Sequence, residues 1–98
     1  MELVYTYGTE DEKIMKKLLD EEFFKRLGPT VRECKTMGFD KTGFCMYIKA
    51  RDETAQEAKK LLAESPAKEL KGADGEKLMQ TFRDEAEAAE AGMGAIFG

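Results

Sequence analysis

Cys34 and Cys45 are the only cysteines in the chain, and the chemistry open to them is thiol redox or attack on an electrophile. They do not form a Cys-x-x-Cys pair, and neither is followed directly by a helix start that would activate it. Histidine is absent throughout. Its absence removes the Ser-His and Cys-His nucleophile pairs together with ordinary zinc sites. Both thiols are therefore expected to be structural. Carboxylates cluster at Glu10, Asp11 and Glu12, at Asp20, Glu21 and Glu22, at Asp52 and Glu53, and at Asp84 and Glu85, residue types suited to acid–base work or divalent cations. All fall on expected helix surfaces or helix starts, and Asp74-Gly75-Glu76 is too short for a cation cage. No GxGxxG or P-loop can be written, and the internal glycines fall where elements end or turn. No catalytic residue, no metal and no cofactor is expected, and the chain is not expected to be an enzyme.

The elements that must position these groups are marked by periodicity. Residues 3–7 are β-branched or aromatic and stop at Gly8, a strand signature. Thr9 and Glu12 have capping-box spacing, so a helix is expected from Thr9. Met15, Leu19, Phe23 and Leu27 give it an apolar stripe as far as Gly28-Pro29. Residues 30–50 read as a hairpin with a type I turn at residues 40–43 and Gly43 in a bulge. That turn sets Thr36 opposite Ile48 and Met37 opposite Tyr47. Cys34, Thr36, Phe44, Met46, Ile48 and Ala50 then share the core face, and Cys45 lies on the other. A second helix starts at Asp52 or at a capping box on Thr54, with Ala55, Ala58, Leu61, Leu62 and Ser65 inward. Ser65-Pro66 predicts a short helix to about Leu70. A last helix is expected from Asp74 to Gly92, striped by Leu78, Met79, Phe82, Ala86 and Ala89.

The expected fold is α+β: a three-stranded, mainly antiparallel sheet packed with helices in the order β-α-β-β-α-α. It is related to the ferredoxin-like plait, with an extra C-terminal helix in place of a firm fourth strand. Residues 1–92 are expected to form one domain and residues 93–98 a flexible apolar tail. The 98 residues, 42% hydrophobic and 37% charged, suit one small soluble domain, and no apolar run reaches the length of a membrane span. Met1-Glu2-Leu3-Val4 lacks the features of a secretory signal, so a cytoplasmic location is expected. Asn and Trp are missing and Ser occurs once, a bias that resembles thermophile usage. The net charge of −4 arises in residues 51–98, with seven basic and eleven acidic residues. No concentrated basic patch marks a nucleic-acid footprint.

Val4 and Tyr5 on the first strand, with Lys41, Thr42, Gly43, Phe44, Cys45, Met46 and Tyr47 entering the third, follow the order strand, helix, hairpin, helix. Over residues 3–65 this resembles the RNA-recognition motif, whose ribonucleoprotein signatures occupy those two strands. The resemblance implies a plait with RNA stacked on its sheet. Thr42 separates the Lys and Gly of the signature, and Met46 stands at an aromatic position, so the plait is expected without RNA binding. The last helix is expected to lie over the outer sheet face, and the functional alternative is that this face is a groove for a peptide or partner helix. Met37, Phe39 and Tyr47, edged by Lys35 and Lys49, make an apolar patch onto which Ile96 and Phe97 of the tail could dock. These seven residues are the candidate binding site, and a protein or peptide is the expected partner. RNA binding, or a small-molecule or divalent-metal role, is the alternative.

Overall fold

Three aromatic or aliphatic side chains at alternate positions, Leu3, Tyr5 and Tyr7, turn to one side of strand β1 (Glu2–Tyr7) and anchor the larger of two cores. The computed structural model describes residues 1–38 and 42–97, with side chains described up to residue 88. After β1 the chain makes a 3₁₀ turn at Thr9–Asp11 and enters helix α1 (Glu12–Leu19). The single helix expected as far as Leu27 is broken. Glu21 is extended, and a separate α2 (Glu22–Leu27) follows. Asp20, Glu21 and Glu22 explain the break: continued as one helix they would sit in its interior, whereas the break places acids at the positive N-terminus of α2. Gly28 closes α2 in the left-handed conformation (φ 66°), its N–H donating to the Phe24 carbonyl.

The hairpin departs from its expected register. Strand β2 (Thr30–Glu33) pairs antiparallel with β3 (Phe44–Lys49), setting Thr30 opposite Tyr47 and Arg32 opposite Cys45. Thr36 and Met37 are not in the ladder at all. They belong to a 3₁₀ turn, Cys34–Met37, ended by left-handed Gly38. Thr36 Oγ1 donates to the Glu33 carbonyl at 2.7 Å, the kind of local bond by which a threonine draws backbone out of a strand. The type I turn expected at residues 40–43 falls partly outside the described residues. Gly43 has φ 117°, and a Cβ there would collide with the Tyr7 carbonyl.

Helix α3 (Asp52–Ala63) is capped at Arg51, as the first 3₁₀ turn is at Gly8. Neither threonine capping box forms, and neither start has a side-chain cap hydrogen bond. The short helix expected after Ser65 is replaced by a strand. Ser65 Oγ donates to the Leu62 carbonyl and accepts from the Ala67 N–H, turning the chain back so that β4 (Lys68–Glu69) pairs with Thr6 and Tyr5. The Leu70 N–H then donates to the Val4 carbonyl at 2.8 Å. The three-stranded, ferredoxin-like-related sheet expected from the sequence is thereby corrected. Among the described residues the sheet has four strands in the order β2-β3-β1-β4, antiparallel throughout.

Helices α1 to α3 cover one face. Met15, Phe24, Ala55 and Leu62 pack there on Leu3, Tyr5, Tyr7, Met46 and Ile48, each large side chain contributing about 1.5–3 kcal/mol by leaving water. Helix α4 (Gly72–Phe97) covers the other face. It starts two residues before Asp74, and its helical backbone continues past the Gly92 end expected from sequence. The result is a small compact α+β domain with helices on both sides of one sheet.

Candidate functional site

The outer sheet face is floored by Val4, Cys34, Met37 and Cys45, and α4 closes it with Leu78 and Phe82. Leu78 and Phe82 are four residues apart and so share a helix face. The Phe82 ring lies over Tyr47, centroids 5.2 Å apart and planes 14° from parallel. Gly75 permits the first turn to approach, because a Cβ there would collide with the Leu70 carbonyl. The corrected register puts Cys34 on this face. Its N–H donates to the Gly43 carbonyl at 2.9 Å, which places residues 34 and 43 opposite each other, and Cys45 is two residues along on the same face. Both cysteines are buried, their Sγ atoms 2.7 Å apart. The expectation that they lie on opposite faces is overturned.

A polar clamp lies beside this core. Arg83 on α4 donates twice to the Glu2 carboxylate on β1, from Nε to Oε2 at 2.9 Å and from Nη2 to Oε1. Tyr47 Oη donates to the same Oε2. The Arg83 hydrogen bond, then that of Tyr47, holds the Glu2 carboxyl at about 2. Burial, reinforced by the Glu2 hydrogen bond, pushes Tyr47 up to about 12. Arg32 on β2 adds an ion pair to Glu85 on α4 at 3.6 Å. These partners join strand to helix, and their chemistry is positional.

Of the seven candidate residues, the four whose side chains are described, Lys35, Met37, Tyr47 and Lys49, lie in three separate places. Met37 and Tyr47 lie under α4, where Leu78 and Phe82 fill the space expected for a ligand. Lys35 is exposed on the 3₁₀ turn and lines a 340 Å³ cleft with Glu12, Glu33 and Thr42. Lys49 is at the far end of β3, lining a 520 Å³ cleft with Phe23, Leu27 and Arg26. Phe39 lies outside the described residues. Ile96 and Phe97 lie in the helical backbone of α4, their side chains outside the described set. Sequence reasoning missed Glu2 and Arg83, which are 81 residues apart. The available signal was Arg83 next to Phe82, an aromatic stripe residue beside a cation able to reach across the helix–sheet boundary.

A further cleft of 300 Å³ opens at the end of β1, lined by Thr6, Gly8, Glu10, Asp11, Thr42 and Lys68. Its charges are mixed. Among the described residues no three thiols or carboxylates converge on a possible cation position. Nor is any helix among them long and apolar enough to cross a membrane. Val4, Cys45 and Tyr47, on the face that a plait would offer to RNA, lie beneath α4. No family model matches the chain, and neither a curated protein nor a solved structure matches it.

Proposed function

We propose that the chain is a small cytoplasmic protein-interaction domain whose recognition element is the C-terminal half of α4, not the sheet groove. The observation that carries this reading is the length of α4 against its seat. Its 26 residues span about 39 Å, more than the 30 and 25 Å short dimensions of the molecule and close to its 44 Å long one. The helix is held to the sheet through Leu78, Phe82, Arg83 and Glu85, and residues 83–88 are exposed. A helix needed only as a lid would end about a turn after Glu85. In the sequence, positions 82, 86, 89, 93 and 96 are Phe, Ala, Ala, Met and Ile, spaced alternately four and three residues in the manner of a helix-pairing seam. Asp84, Glu85, Glu87 and Glu90 give the same stretch an acidic character.

The partner suited to such an element has an apolar groove rimmed by Lys or Arg, which receives an amphipathic helix by its i, i+3, i+4 positions. A binding domain of this kind needs no catalytic residue and no cofactor. The test is capture of interacting proteins by the full chain and by a chain ending at Ala88, with thermal melts of both. A partner lost on truncation while the melt is unchanged supports the reading. Equal capture by the two chains refutes it.

A further inference from the structure

We propose that Cys34 and Cys45 form a peroxide-oxidisable dithiol, whose bridge ties the Cys34–Met37 turn to β3 beneath α4. The chain has two cysteines in 98 residues, and the fold brings these two into direct contact although they stand on separate elements. Contact follows from the register. Residue 34 faces residue 43, and the diagonal neighbour on the same face of an antiparallel pair is residue 45. With 2.7 Å between the sulfurs and about 2.05 Å in a disulfide, the bond requires less than an ångström of closure. Val4, Met37, Leu78 and Phe82 surround the pair, all of them apolar.

The oxidant that suits a buried, apolar pair is hydrogen peroxide, which is small and uncharged. The deprotonated sulfur of one cysteine attacks a peroxide oxygen. The O–O bond breaks, a sulfenic acid forms, and hydroxide leaves to be protonated to water. The second thiol then attacks the sulfenic sulfur, the S–S bond forms, and a second water departs with the thiol proton. Two electrons pass from the thiols to peroxide, and a dithiol reductant returns them to the protein. Burial slows the first step, whereas the neighbouring thiol makes the second immediate. A cytoplasmic chain with such a pair belongs among redox-responsive proteins, where disulfides are transient.

The test treats the reduced, full-length native chain with a small excess of hydrogen peroxide, followed by denaturation, alkylation and intact mass. The expected product is monomeric, lacks two hydrogens, takes no alkyl group and reverts with dithiothreitol. A tryptic digest should join the peptide of residues 33–35 to that of residues 42–49. Cys34→Ser and Cys45→Ser should each abolish the two-hydrogen product. Two thiols still alkylated after peroxide, sulfinic or sulfonic products in place of the bridge, or bridged dimers would each overturn the proposal.

Discussion

Replacing Phe82 with Ala tests whether α4 is part of the fold or an appendage. The Phe82 side chain is 3% exposed and stacked on Tyr47. A phenylalanine buries about 200 Å², which at about 25 cal/mol per Å² corresponds to ~5 kcal/mol as an upper bound. A compact unfolded chain lowers this to about 3–4 kcal/mol, within the range measured for Phe→Ala in cores. Total stability for a domain of this length is about 5–15 kcal/mol, so the loss is a large part of it. Urea unfolding followed by circular dichroism should show a lower midpoint, and the melting temperature should drop by about 15–25 °C. The exposed control Glu87→Ala should stay within about 0.5 kcal/mol of the parent. A Phe82→Ala loss below about 1 kcal/mol would refute the seating of α4, and with it the account of the second core.

Gly43→Ala should cost more than the ~1 kcal/mol of an unfavourable φ alone, because the new Cβ meets the Tyr7 carbonyl; equilibrium unfolding measures it. Gly75→Ala should destabilise even though alanine favours helix, since its Cβ meets the Leu70 carbonyl; a gain in melting temperature would contradict that contact. Acid titration should reveal the clamp. Glu2 is held at about 2 against an ordinary 4.5, so its stabilisation is complete above pH 4.5 and disappears as pH falls toward 2. Arg83→Met should flatten that limb of the stability profile. At the alkaline end Tyr47 is raised from 10 to about 12; its contribution holds below pH 10 and is lost between pH 10 and 12, which ultraviolet titration of Tyr47→Phe against the parent resolves.

The elements with strong local signals were legible in the sequence. Strand β1 follows from residues 3–7, the α3 stripe from Ala55, Ala58 and Leu62, and the end of α2 from Gly28-Pro29. What escaped depended on competition between local and distant partners. Thr36 is β-branched and reads as strand, yet its hydroxyl finds the Glu33 carbonyl, and the register moves with it. Both cysteines change their relationship as a result. Ser65-Pro66 has the chemistry of a helix start, but Ala67 is buried and Lys68 finds the free edge of β1. No spacing rule contains that edge. Met37 and Tyr47 are apolar positions that need cover, and local pattern alone does not choose between a ligand and the last helix; the structure has Leu78 and Phe82 of α4 there. The Glu2–Arg83 clamp spans nearly the whole chain, beyond any local pattern.

The two outermost strands have a consequence for behaviour at high concentration. β2 has four residues and β4 two, and their tips carry Arg32, Glu33, Lys68 and Glu69. An incoming extended chain would find a short row of open backbone groups and would have to set its own side chains against charges of both signs. Long, flat, apolar borders are what template cross-chain stacking into fibrils, and this sheet presents none among its described strands. Crowding should therefore bring these molecules together through helix surfaces, reversibly, and not by extension of the sheet.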